Sequence, residues 1–176
     1  MPQVTRWMGE EPDALRRYLQ DGSDGELARR RGTIVLSLIG IAAMAATTLL
    51  QMGVVKRLPD PPGNFDTRKV NSAEEAYSYG GPDSPIAITG HGANMILASL
   101  GGAARAQRHP WRPLLATLVA AAQAKTAARY LLYTMPKVDR AWCPYCIVDA
   151  LTHFATVALT LPDAARAARR LVGRQR

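Results

Sequence analysis

The chain has 176 residues, 48% of them apolar, and a formal net charge of +8, which leaves room for one domain. Its basic residues sit at the ends of apolar blocks and no recognition motif accompanies them, so nucleic acid is excluded as a partner. Two cysteines and three scattered histidines fall short of the four ligands of a structural zinc site, and no metal is expected.

The stretch from Trp7 to Arg31, WMGEEPDALRRYLQDGSDGELARRR, predicts a helix, a turn at Asp21-Gly22-Ser23-Asp24-Gly25 and a short lead into the next block. Acidic and basic side chains nearly balance there, as suits a solvated segment or a protein contact, and residues 1–32 form an N-terminal segment. From Thr33 to Val55 the chain reads TIVLSLIGIAAMAATTLLQMGVV without a charge. That is slightly longer than the ~20 residues needed to cross a hydrocarbon core of ~30 Å, and it predicts a membrane span. The run is too long, and starts too far into the chain, for the ~7 to 15 apolar residues of a signal peptide.

Residues 56–84 then form a long polar loop. Within it Ser72 and Glu75 fit a capping box, which predicts a short helix through Tyr79. Phe65, Tyr77 and Tyr79 either pack this segment over the bundle as a lid or form an interfacial aromatic belt. A second uncharged block, PIAITGHGANMILASLGGAA from Pro85 to Ala104, is rich in small residues that let helices approach closely in a bilayer. The third block, Pro113 to Pro136, is long enough to span but carries Lys125 and Arg129. The fourth runs from Ala141 to Pro162 with Asp149 and His153 inside it, and residues 164–176 form a basic tail. The expected fold is all-α: an integral membrane four-helix bundle over residues 33–163, with a long outer loop containing a short helix.

Arginine and lysine placement sets the orientation. Arg29, Arg30 and Arg31 precede the first span, Arg105, Arg108 and Arg112 lie between the second and third, and five arginines from Arg166 to Arg176 follow the fourth. Both termini are thus expected on the cytoplasmic side of a multi-pass protein of the plasma or inner membrane, and the net charge reflects topology and anionic lipid headgroups.

Both cysteines stand in RAWCPYCIVDALTHF, Arg140 to Phe154, at the outer end of the fourth span. Proline is favoured at the first position of a helix, so Pro144 makes Cys143 the capping residue and puts Cys146 one turn further in. The two sulfurs then share a face. A thiol at a helix N-terminus is acidified by unpaired N–H groups and aligned dipoles, which makes Cys143 the more reactive toward an external partner. A purely structural disulfide closing so small a loop would constrain the unfolded chain little. Redox exchange suits the spacing better, and the outer face is where disulfides persist.

Four spans, a long first outer loop, a Pro-rich exit GVVKRLPDPPGNFD from Gly53 to Asp66, and a Cys-x-x-Cys entering the fourth span resemble the vitamin K epoxide reductase family. The resemblance runs from about Gly32 to Arg170. It implies an integral membrane thiol-disulfide oxidoreductase that couples the dithiol to a quinone, menaquinone or ubiquinone, and supports disulfide formation outside the cytoplasm. By that resemblance Cys146 meets the quinone and Cys143 exchanges with a thioredoxin-like dithiol protein on the outer side. His91 and Asn94 are then candidates to hydrogen-bond a quinone carbonyl, or else they bond neighbouring helices. Asp149 matches Arg129 in depth at ~1.5 Å per residue, and Lys125 and His153 each lie one turn from one of them. An ion pair of Asp149 with Arg129 or Lys125 is expected, as a packing pair or as part of a proton route or quinone contact.

Two departures from the family pattern stand out. Many members carry a second cysteine pair in the first outer loop, and residues 56–84 contain none. Ala150 also occupies the place of a tyrosine found in vertebrate members. The competing expectation is a non-catalytic subunit or scaffold of the same fold, holding a partner protein or lipid within a larger membrane complex. A reactive, helix-capping cysteine pair argues for the enzyme.

Overall fold

The computed structural model describes residues 11–173. Trp7 to Glu10 of the expected N-terminal helix, and Arg174 and Arg176 of the tail, lie outside the described residues. Seven α-helices follow in order: α1 Pro12–Asp21, α2 Gly25–Gln51, α3 Thr67–Asn71, α4 Ser84–Ser99, α5 Arg105–Arg108, α6 Trp111–Arg129 and α7 Pro144–Gly173. A 3-10 turn, Glu74–Tyr77, precedes α4, and the end of α6 widens into π-helical winding over Tyr130–Asp139. Among the described residues there is no strand; one isolated bridge joins Phe65 and Trp142.

The chain starts α2 at a turn where the Asp24 carboxylate accepts the N–H groups of Glu26 and Leu27 at 2.9 and 3.0 Å, an N-cap that satisfies two otherwise orphaned donors. The buried stripe of α2 is Thr33, Ser37, Gly40, Met44 and Thr47, spaced by three and four residues as one helix face requires. On α7 the matching stripe is Thr152, His153, Thr156, Thr160 and Asp163. The hydroxyls of Thr156 and Thr160 bond carbonyls one turn back at 2.8 and 3.0 Å, so their burial leaves no donor unmet. These small inward faces let α2 pack along both α4 and α7 while α6 packs along α7.

Large apolar side chains point the other way. Val35, Leu38, Ile39, Leu118, Leu132, Leu151 and Leu161 are all exposed, an arrangement suited to a lipid surround and costly in water. Among the described residues two helices, α2 and α7, are long and apolar enough to cross a membrane. The four expected spans are narrowed accordingly. Helix α4 has 16 residues, short of the ~20 that a span needs, because Gly101 at φ +83° ends it before Ala104. Helix α6 carries three charges, Arg112, Lys125 and Arg129.

Three other boundaries differ from expectation. Helix α7 runs through Pro162 to Gly173, so the described part of the basic tail continues the fourth helix. Ser72 is no N-cap: it is the C-cap residue of α3, and the 3-10 turn that starts at Glu74 has Ala73 before it and no side-chain cap. The loop helix lies earlier, where the Asp66 carboxylate accepts the Lys69 N–H at 2.8 Å. Finally, three arginines counted as topology markers are interior. Arg30 donates to the carbonyls of Ala98 at 2.7 Å and Gly101 at 2.6 Å, Arg105 pairs with Glu26 at 3.1 Å, and Arg112 is buried.

Candidate active site

Helix α7 begins at Pro144, which places Cys143 just before its first turn; the Cys146 N–H lies 3.1 Å from Cys143 Sγ. The two cysteines are joined as a disulfide, with Cα atoms 5.2 Å apart. Their surroundings are unequal. Cys143 is 0% exposed, packed with Val70, Met135 and Ala141, whereas Cys146 is half-buried and lines a cavity. The expectation that Cys143 is the exposed sulfur is thereby corrected. It is outermost along the chain, but the outer loop folds back over it.

That cover is built from backbone bonds and one amide. Asp66 N–H donates to Trp142 O, and Trp142 N–H to Asn64 O, both at 2.9 Å, which stitches the loop to the residue before Cys143. Asp60 accepts the Thr67 N–H at 3.1 Å and starts α3. One turn on, Asn71 Nδ2 lies 3.4 Å from Cys143 Sγ and 3.8 Å from Cys146 Sγ, within reach of whichever sulfur carries charge. Arg129, exposed on α6, pairs with Glu75 of the loop at 2.8 Å.

The cavity has a volume of about 370 Å³, within the ~300 to 1,000 Å³ of small-molecule sites. Its wall includes Cys146, Asp149 and Ala150 of α7, Gly90 of α4, and Tyr130 and Thr134 of the π-wound segment. A wider winding shifts side chains off the α-helical register and is frequent at functional sites. Ala150, one turn beyond Cys146, adds little bulk to the wall there. At the mouth stand Glu75, Tyr79 and Asp83. Burial pushes the Asp83 carboxyl above its ordinary range, against a hydrogen bond from Gln51 at 2.8 Å that acts the other way.

The polar residues expected inside the helices are placed as follows. Asp149 does not pair with Arg129 or Lys125. Its Oδ1 lies 2.8 Å from His91 Nε2 and its Oδ2 3.5 Å from His153 Nε2. Lys125 is exposed and makes no ion pair among the described residues. Matching depth was insufficient because α6 turns both cations outward, where water or headgroups solvate them at less cost than a buried pair. Asn94 donates to Gln123 Oε1 at 2.7 Å, and Gln123 in turn donates to Gly90 O at 3.0 Å, so Asn94 and His91 both bridge helices. Neither is part of the cavity wall. Their donor chemistry is used within the fold, while Gln123 reaches the wall.

His91, Asp149 and His153 bring their donor atoms within 4.8 Å of one another, as a metal site also would. Counting ligands along the sequence missed this cluster because it joins α4 to α7. Asn71, Gln123 and Asp83 were missed too. Gln123 is a polar residue in an apolar run, a signal that was present; Asn71 and Asp83 stand in the polar outer loop, where nothing local sets them apart.

A family model described as the vitamin K epoxide reductase family matches residues 32–161. No curated protein and no solved structure matches the chain.

Proposed function

The chain belongs to the vitamin K epoxide reductase family, and on that premise we propose that it is a quinone-dependent thiol-disulfide oxidoreductase of the cell's inner or plasma membrane. The reading takes α2 and α7 as full spans and the less apolar α4 and α6, packed against them, as the other two crossings of a four-helix bundle with both termini in the cytoplasm. Disulfide formation outside the cytoplasm is its role. The observation that carries the reading is Cys146: the inner sulfur of a redox-competent pair opens on a cavity large enough for a quinone ring.

The residues fit a quinone head group. Thr134 and Tyr130 offer hydroxyls in a wall that mixes apolar and polar side chains, and Ala150 leaves room for the ring beside the sulfur. The quinone supplies capacity for two electrons; the protein supplies orientation, a thiolate and exclusion of water. Asn71 holds its amide against both sulfurs and favours the thiolate state. Cys143 exchanges with the dithiol of a thioredoxin-like partner, and the mixed disulfide is resolved by Cys146. Because α3 covers Cys143 and the loop has no cysteine pair to relay electrons, the partner must displace the loop to reach it.

Reconstituted protein, reduced and then mixed with a menaquinone or ubiquinone analogue, is expected to consume one quinone per disulfide formed. Cys146→Ser abolishes that consumption and accumulates a mixed disulfide at Cys143 with a dithiol protein. A wild-type dithiol that stays reduced in the presence of either quinone overturns the enzyme. That result would favour the non-catalytic subunit or scaffold, the reading supported by the absent loop cysteines.

A further inference from the structure

From the way one side-chain amide is pinned at the inner end of the cavity, we infer that Gln123 is the hydrogen-bond donor to a carbonyl oxygen of the quinone and that Asn94 is the residue that positions it. The inference rests on the quinone reading above and names the contact that orients the ring.

Of the residues that α6 brings to the cavity wall, Gln123 lies farthest from the mouth, level with Gly90, which is the farthest of those from α4. Its Nε2 donates to Gly90 O at 3.0 Å, and its Oε1 accepts from Asn94 Nδ2 at 2.7 Å. A backbone carbonyl only accepts, so the group facing Gly90 O is the NH2, and the oxygen of the same amide must face Asn94. Gly90 has no side chain to hold the amide off: a Cβ there would stand 3.0 Å from Nε2. Asn94 is 2% exposed, so bulk water does not compete for its hydrogen.

A glutamine amide carries two hydrogens on its nitrogen. One is engaged by Gly90 O. The other has no acceptor among the described residues, and Gln123 lines the cavity, so this hydrogen is left for an oxygen that enters there.

The other polar groups of the wall are committed or free to turn. Ser84 shares a hydrogen bond with Thr47 at 2.8 Å, and Thr126 donates to Ala122 O at 3.3 Å. Asn71 faces the sulfurs, and Arg129 is held at the mouth by Glu75. The Asp149 carboxylate accepts rather than donates, and it is taken up by His153 and by His91, whose ring is seated against Gly40 of α2. Ala150 brings no polar group to the α7 side. The hydroxyls of Thr134 and Tyr130 rotate to suit whatever is near them, whereas the Gln123 amide is fixed on both sides before substrate arrives.

Dithiol plus quinone gives disulfide plus hydroquinone. Two electrons pass from the sulfurs to the ring as the S–S bond forms, and the two thiol protons end on the ring oxygens. Negative charge gathers on a carbonyl oxygen as the electrons arrive, and a fixed N–H stabilises that charge more than it stabilises the neutral quinone. Gln123 neither gains nor loses a proton. Asn94 acts only through it, by keeping Oε1 turned to the helices; an amide flipped the other way would set a lone pair against the substrate oxygen.

The test uses the full chain in detergent and a short-tail menaquinone labelled with carbon-13 at one carbonyl or the other. Bound to the oxidised protein, where no turnover occurs, one of the two carbonyl stretches is expected at lower frequency in the infrared and the other near its unbonded position. Gln123→Met is expected to abolish that shift while weakening binding only about fivefold, the scale of one neutral hydrogen bond. In single turnover with reduced protein, the same variant is expected to slow quinone reduction about 100-fold, as loss of a donor to a developing oxyanion does. Asn94→Ala should broaden the shifted band and slow the reaction less. Gln123→Asn keeps an amide among the helices but falls one methylene short; it is expected to lose the shift too, and it serves where the methionine variant does not fold. Wild-type protein that binds and reduces the quinone with both carbonyls unshifted overturns the inference and leaves the quinone reading standing, as does a folded Gln123→Met variant with the wild-type spectrum and rate. Wild-type protein that binds no quinone overturns both.

Discussion

Cys143 and Cys146 are three positions apart and live in different surroundings: one is sealed beneath Val70 and Met135, the other faces the cavity. Sealing keeps the outer sulfur from adventitious thiols and leaves Cys146 as the one that meets a small molecule. At the cavity mouth, Asp83 carries a cost. Its carboxyl binds a proton more tightly in the folded chain than in the unfolded one. Stability therefore falls as pH rises from the unfolded value of about 4 to the raised folded value, and the deficit is constant above that. Asp83→Asn, which still accepts from Gln51, should raise the melting temperature in detergent at neutral pH, with the gain vanishing below about pH 4. Equal melting of the two proteins at neutral pH would remove Asp83 from the account.

Helices place these residues, and two tethers decide how firmly. Glu75 and Arg129 tie the outer loop to α6, but the pair is 38% and 68% exposed, so it contributes no more than ~1 kcal/mol. Glu75→Gln should leave the melting temperature nearly unchanged. By loosening the cover it should speed reduction of the disulfide by a small dithiol up to about fivefold, the kinetic equivalent of ~1 kcal/mol. An unchanged reduction rate would mean the backbone stitches at Trp142 hold the loop alone. At the other end, Arg30 is 2% exposed and holds the C-terminal end of α4, donating to the carbonyls of Ala98 and Gly101. Hydrogen bonds from a charged donor contribute more than neutral ones. Arg30→Met should cost about 2 to 3 kcal/mol, read as an earlier thermal transition; a wild-type transition would show that the carbonyls find other donors.

Across the whole molecule the pattern is inside-out: threonines, small residues and paired charges inside, leucines and isoleucines outside. Such a body belongs in a membrane, and its arginine-rich end is expected in the cytoplasm. In a protein lacking the native cysteines, Ser78→Cys in the exposed outer loop should react with an impermeant maleimide in intact cells. Gln107→Cys, exposed on α5, should react only after permeabilisation. The reverse pattern would invert the topology.

What the sequence by itself determined follows from local rules. An uncharged run of span length, proline after a capping cysteine, and the three-residue spacing of the sulfurs each depend on near neighbours, so the apolar α2, the start of α7 and the family were legible. The capping box at Ser72 failed because the better cap, Asp66, lay six residues earlier and tertiary bonds to Trp142 favoured it. Only the tertiary structure decided which partner Asp149 takes. Periodicity and depth place a side chain along a helix, but the rotation of each helix about its axis is set by packing. Gly40 admits the His91 ring between α2 and α7, and α6 turns Arg129 and Lys125 outward. For the same reason the burial of Cys143 could not be read from its position at a helix cap: what covers it, Val70 and Asn71, comes from a loop 72 residues away in the chain, brought there by contacts that no local spacing encodes.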